Sequence, residues 1–224
     1  MNAARRTRRA PHLECCRDEW RRLRFNSIPH PASRAILWNC GLSQPPRLQS
    51  SNVEGAMQTI HVITTGGTIE KAYSEQSGAV LNTASKIGQY LKLLRLPDSD
   101  VRVIPMMNKD SLEMTAEDRA ALVAKIAELI PSGYPIVITH GTDTMVETGL
   151  CIQKAFPDLS VPVILTGAMS PLGFEKSDGL QNLTESLFAA RLLGPGVVVV
   201  IHGQVFPVAR VRKDRELGTF VQTQ

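Results

Sequence analysis

The chain is predicted to be an α/β protein with an open, mostly parallel sheet and helices on both faces. Three observations carry this. Short apolar runs recur at 58–64, 100–106, 135–140, 161–167 and 196–202, each of the length and bounding of a buried parallel strand. Helical spacing fills the intervals between them. Two of the runs end in threonine- and glycine-rich turns, Thr64-Thr65-Gly66-Gly67-Thr68 and His140-Gly141-Thr142-Asp143-Thr144. Both turns fall just past a strand's carboxyl end, where open α/β sheets place their ligand sites.

The elements follow in order from Met57. Thr59-Ile60-His61-Val62-Ile63 is the first strand, and Ile87, Tyr90, Leu91 and Leu94 keep the i, i+3, i+4, i+7 spacing of an amphipathic helix. After the run at 100–106, Thr115 with Asp118 resembles a capping box ahead of Leu122, Val123, Ile126 and Ile130, and Pro131 with Gly133 stops that helix. Pro135-Ile136-Val137-Ile138-Thr139 is the next strand, followed by a helix from Met145 to Phe156. The run at 161–167 and a helix from Asp178 to Leu193, closed by Gly194-Pro195-Gly196, lead to the last strand at 196–202. No internal repeat occurs at a 20–50 residue period.

With 224 residues and 43% hydrophobic content, the chain supports one main core. A domain of about 170 residues buries roughly 70% of its unfolded surface and needs no staples. The formal charge of +4 is unevenly spread. Residues 1–56 hold ten Arg, no Lys and four acids (Glu14, Asp18, Glu19, Glu54), whereas the remainder holds fifteen bases and seventeen acids. The basic character therefore belongs to the leader, and the core has no nucleic-acid footprint. Residues 1–56 are aperiodic and carry prolines at 11, 29, 31, 45 and 46. They read as a disordered tail, as an Arg-rich transit peptide, or as sequence ahead of a true start at Met57, the reading favoured here. Domain organisation is thus expected to be a leader over 1–56 and one α/β domain over 57–224.

Cys15, Cys16 and Cys40 lie in the leader and only Cys151 in the core, so no disulfide framework is expected; this fits a reducing compartment and a cytoplasmic location. No window approaches 18 consecutive apolar residues, and no membrane partner is expected.

Thr68 is the candidate nucleophile, a weak one at neutral pH unless a base activates it. Gly66 and Gly67 beside it are expected to leave backbone N–H groups free for an oxyanion. The competing reading is a glycine-rich turn that caps a helix or cradles phosphate. Tyr73, in the polar loop Tyr73-Ser74-Glu75-Gln76-Ser77-Gly78, is either a proton donor and acceptor for Thr68 or a surface residue. Thr142 supplies a second hydroxyl. Asp143 either holds a substrate ammonium or N-caps the helix at 145, since Asp is favoured there. Gly67 and Gly141 allow close approach to a ligand and are candidate substrate contacts. His140 reads as structural. Ser111, in Lys109-Asp110-Ser111-Leu112-Glu113-Met114, would face the same crevice or belong to an ordinary strand-to-helix loop.

Thr65-Gly66-Gly67-Thr68-Ile69, His140-Gly141-Thr142-Asp143-Thr144-Met145, and Gly167-Ala168-Met169 with Ser177-Asp178-Gly179 and Asn182-Leu183 together resemble the bacterial-type L-asparaginase/glutaminase family over nearly all of 58–220. The resemblance implies that family's amino-terminal, Rossmann-like three-layer domain and amide hydrolysis through an acyl-enzyme. In it Thr68 attacks, Tyr73 assists, Thr142 with Asp143 completes the site, and Ser111 binds the substrate α-carboxylate. Most members carry a lysine before the Pro-Val of the fourth strand, coupled to the second threonine; Val161 stands there in this chain. The sequence ends at Gln224, short of the family's carboxyl-terminal domain, so the expected kinship is with short, single-domain members.

Because Val161 cannot transfer a proton, another cation is expected at Thr142: Lys71, Lys176 or Lys213. Lys213 is favoured, because related asparaginases also carry a lysine at its position in Arg210-Val211-Arg212-Lys213. The expected protein is an amidohydrolase acting on L-asparagine or a related small amide, a homo-oligomer with no nucleic-acid partner. No metal or organic cofactor is expected, since no His, Cys and acid cluster has metal-ligand spacing. Its rival is a non-catalytic amino-acid-binding or sensor domain, which Val161 favours. A nucleotide-binding domain fits less well, because Gly66-Gly67 lacks the spaced glycines of a dinucleotide fingerprint.

Overall fold

Five strands with apolar side chains on both faces fix a central sheet between two layers of helices. The structure, a computed structural model, describes residues 57–82 and 85–224; the expectations for residues 1–56 lie outside them. Strand β1 (Gln58–Gly66) leads through a 3₁₀ turn, Thr68–Glu70, into a hairpin of β2 (Lys71–Ser74) and β3 (Ala79–Asn82). Then follow α1 (Ile87–Leu91), β4 (Ser99–Lys109), α2 (Ala116–Leu129), β5 (Ile136–Thr139), α3 (Met145–Ala155), β6 (Pro162–Thr166) and α4 (Gly179–Leu192). The last elements are β7 (Gly196–Ile201), β8 (Gln204–Pro207), and an antiparallel ribbon of β9 (Val211–Asp214) and β10 (Thr219–Gln222).

The six-stranded sheet has the order β4-β1-β5-β6-β7-β8, parallel except for the antiparallel edge strand β8. Successive residues face opposite layers. Ile63, Ile136, Ile138, Val163, Leu165, Val197, Val199 and Ile201 pack with Leu122 and Ile126 of α2 and with Met145 and Ile152 of α3. Ile60, Val62, Val137, Ile164 and Val200 pack on the other side, with Ile87 of α1 and Leu183 and Leu187 of α4. Each fully buried aliphatic side chain contributes roughly 1.5–3 kcal/mol. Strands buried on both faces need near-continuous apolar sequence, and that is why the runs of β1, β5, β6 and β7 were readable, whereas the edge strand β4 is only partly buried.

The α/β expectation holds, with corrections at its margins. The capping box at α2 forms as expected: Thr115 Oγ1 accepts from the Asp118 N–H, and the Asp118 carboxylate accepts from the Thr115 N–H. The helix expected to reach Leu94 ends at Leu91, although Leu94 still packs on the α4 side. Tyr73 is on strand β2 rather than in a polar loop. The strand at 196–202 is not the last.

Among the described residues no helix is long and apolar enough to cross a membrane. Since β1 begins at Gln58, we expect a chain started at Met57 to keep its thermal midpoint. Loss of cooperative unfolding in the shortened protein would place part of 1–56 in the fold.

Candidate active site

From β1 the chain crosses to β4 on one side, and from β5 to β6 on the other, so the order of strand addition reverses between β1 and β5. A crevice opens at the carboxyl ends of strands around such a switch point. Both threonine turns leave these two strands. Thr64, Thr139 and Thr166 stand side by side in register at the ends of β1, β5 and β6. One residue past Thr64, Thr65 Oγ1 donates to the Thr139 carbonyl at 2.8 Å.

Glycine lets the turns interlock. A methyl group on Gly67 would lie 2.3 Å from the Gly141 nitrogen, and one on Gly141 would lie 2.5 Å from Ser111 Oγ. One on Gly167 would meet the His140 carbonyl oxygen at 2.3 Å. Gly67 also has φ +79, a region that L side chains rarely adopt. The ends of β1, β4, β5 and β6 are therefore wedged together backbone to backbone.

The ribbon β9–β10 brings Lys213 to this crevice. Lys213 Nζ donates to Thr142 Oγ1 at 2.7 Å and to Asp143 Oδ1 at 3.1 Å, and its side chain is 18% exposed. Arg215, in the turn of the ribbon, reaches the same Asp143 Oδ1 at 2.6 Å. Asp143 is not the cap of α3. That position is Thr144, whose side chain caps nothing and instead donates to the Ser111 carbonyl at 2.8 Å. The other two cations make no contact with Thr142: Lys71 is paired with Asp110 at 2.6 Å, and Lys176 is exposed.

Position 161 is corrected as well. Val161 is 2% exposed in the core and precedes the amino end of β6, whereas Thr142 follows the carboxyl end of the neighbouring β5. Five strand residues at about 3.3 Å each separate the two levels. A lysine at 161 would be roughly 17 Å away along the strand direction, too far to couple with Thr142. The valine therefore argues neither for nor against chemistry.

Thr68 heads the 3₁₀ turn, half-buried, and its hydroxyl has no hydrogen bond among the described residues. The two glycines do not leave free amides. Gly67 N–H donates to the Lys109 carbonyl at 2.8 Å, and Gly66 N–H is directed at the Glu70 carboxyl. Tyr73 is 60% exposed and makes no hydrogen bond to Thr68. Ser111 lies against Gly141 with a buried hydroxyl that has no hydrogen-bond partner among the described residues.

Two titratable groups lie beneath the crevice. His140 is fully buried; its Nδ1 pairs with the Gly141 carbonyl at 2.7 Å, and Nε2 has no partner among the described residues. Burial pushes its pKa down to about 4, so the ring is neutral at neutral pH, in keeping with a structural role. Glu70 Oε1 accepts from Thr139 Oγ1 at 2.7 Å, and the Gly66 N–H and the Ser85 hydroxyl also face the carboxyl. Burial raises the Glu70 pKa above its ordinary value, against the opposing hydrogen bonds from Thr139, Ser85 and Gly66.

A carboxyl whose folded pKa is raised contributes stability below its ordinary 4.5 and loses it as pH rises through the folded value. Glutamine keeps the acceptor for Thr139 and does not ionise. The thermal midpoint of Glu70→Gln should therefore match that of the wild type near pH 4 and exceed it increasingly as pH rises. A pH-independent difference would show that Glu70 does not titrate against the fold.

The third group of motif residues braces the rim. Asp178 accepts from the N–H groups of Met169 and Ser170, from Asn182 Nδ2 and from His202 Nε2 at 2.8–3.0 Å. Burial alone would raise this carboxyl, but the two N–H groups and His202 outweigh it and hold the pKa low. His202, with φ 50, also pairs through Nδ1 with Thr219 Oγ1 at 2.7 Å and so ties β10 to α4. Glu70, His202 and Arg215 were missed in the sequence. The one available signal was a charged or ionisable residue next to an apolar run, which also describes most surface positions.

The Asparaginase, N-terminal family matches residues 59–220, and the chain belongs to it. It is 32% identical over 157 residues to the L-asparaginase of Thermococcus kodakarensis, covering 70% of this chain and 48% of that one. It is 32% identical over 157 residues to a glutamyl-tRNA(Gln) amidotransferase polypeptide of Aeropyrum pernix, covering 68% of this chain and 36% of that one. The solved structure of the thermostable L-asparaginase from Thermococcus kodakarensis superposes with a TM-score of 0.66 at 30% identity, covering 74% of this chain and 51% of that one. The chain spans about half the length of that asparaginase and about a third of the amidotransferase polypeptide.

Proposed function

We propose that this domain hydrolyses the side-chain amide of L-asparagine, or of a related small amide, to the acid and ammonia. The observation that carries the reading is the Lys213–Thr142–Asp143 hydrogen-bonded group, set in the switch-point crevice beside the unengaged hydroxyl of Thr68. The asparaginase names of its relatives support it. Thr68 Oγ attacks the amide carbonyl carbon. Collapse of the adduct breaks the C–N bond, and the nitrogen leaves as ammonia with the threonine's proton. Water then cleaves the Thr68 ester and regenerates the hydroxyl. Lys213 moves the proton at Thr142 Oγ1, and Asp143 holds Lys213 in place. Tyr73 assists once its ring turns inward to Thr68. Ser111 Oγ, buried and without a partner among the described residues, is kept for the substrate carboxylate, since a buried hydroxyl without a partner is costly.

The exposure of Tyr73 favours one second reading, an amino-acid-binding domain without turnover. Ammonia release from L-asparagine, L-glutamine and smaller amides decides between them. One methylene is worth only about 1–3 kcal/mol of discrimination, so the panel also ranks the substrates. Saturable binding of asparagine without release of ammonia would overturn the enzymatic reading.

A further inference from the structure

Asp143 serves two cations on a single oxygen. Lys213 reaches Oδ1 from a position 18% exposed and also holds Thr142, so it is part of the crevice wall. Arg215 reaches the same oxygen from a side chain 73% exposed and has no other ion pair among the described residues. The neighbouring carboxylate, Asp110, is already bound to Lys71. An ammonium group approaching Asp143 therefore meets two positive charges around one negative charge.

We propose that Arg215 is a specificity-determining residue: by holding the Asp143 carboxylate, it lowers the preference for amides that carry an α-ammonium over the same amides without one. The proposal rests on the amidohydrolase reading above and on Asp143 also holding a substrate ammonium, the role its sequence offered besides the helix cap. The turn that presents Arg215 does not depend on its side chain. Asp214 Oδ1 accepts from the N–H groups of Glu216 and Leu217, both at 3.1 Å, and thereby shapes that turn. Removing the guanidinium thus changes the charge at the crevice and leaves the ribbon intact.

The test compares L-asparagine with succinamic acid, which is asparagine without its ammonium, in the wild type, Arg215→Ala and Arg215→Lys. An exposed ion pair has a modest effect, so Arg215→Ala should raise the asparagine-to-succinamate ratio of kcat/KM by about fivefold. The change should appear in KM, Arg215→Lys should restore most of the wild-type ratio, and 1 M salt should shrink the difference, since exposed charges are screened. The same ratio read by calorimetry with L-aspartate and succinate needs no turnover. Absence of ammonia from either amide would overturn the enzymatic reading, while the calorimetric ratio would still decide the role of Arg215. An unchanged ratio in Arg215→Ala, or no binding of either acid to any of the three proteins, would overturn the inference.

Discussion

Thr68→Ala is expected to lower kcat by three orders of magnitude or more with the thermal midpoint unchanged. The Thr68 hydroxyl has no hydrogen bond among the described residues, and the residue follows the glycine wedged against Gly141. Deleting that hydroxyl removes no hydrogen bond seen among the described residues, so a large loss of rate with an unchanged midpoint would not arise from misfolding. Losing a covalent nucleophile typically costs this much, because binding and the remaining polar groups alone give little turnover. Thr68→Ser supplies the complementary reading. A primary hydroxyl at the same place should keep measurable activity, and an acyl-enzyme should be trapped by rapid quench with a slowly hydrolysed substrate. Full activity in Thr68→Ala would move the nucleophile to Thr142 or to water. A lowered midpoint would instead mark Thr68 as a structural cap of its turn.

The central strands were legible because burial on both faces leaves continuous apolar sequence, as in Ile136-Val137-Ile138. The two small ribbons were not. In β9, Val211 is buried and the next three residues are Arg212, Lys213 and Asp214; in β2 only Ala72 is buried. A strand with one apolar contact has no period to detect. Its register comes from its partner, Phe220 opposite Lys213 and Val80 opposite Tyr73.

The site shows the same division. The turns at Gly66-Gly67-Thr68 and Gly141-Thr142-Asp143 announce themselves locally, because a glycine-hydroxyl turn after an apolar strand is unusual sequence. What joins them does not. The contact between Gly67 and Gly141, the burial of Ser111 beneath it and the reach of Lys213 across 71 residues are products of tertiary packing. Likewise, the strand end at which position 161 falls follows from sheet topology, and sequence kinship alone misassigned its partner.

Lys213→Met is expected to lower kcat by about two to four orders of magnitude, the usual range for a proton-transfer group. Methionine keeps the length and the apolar stem, so the ribbon should stay docked through Val211 and Phe220, both buried in the core. Asp143 then retains Arg215, and its charge is not stranded. The loss should therefore fall on kcat more than on KM and should change the shape of the pH–rate profile as well as its height. Lys176→Met, at an exposed side chain, should leave both unaltered. Lys71→Met should weaken stability slightly through Asp110, whose carboxyl Lys71 holds below its usual range, with little effect on rate. If Lys213→Met keeps full activity and an unchanged profile, the 2.7 Å contact with Thr142 is structural only. Proton transfer at Thr142 would then pass through Asp143 and water, and Asp143→Asn should carry the loss instead.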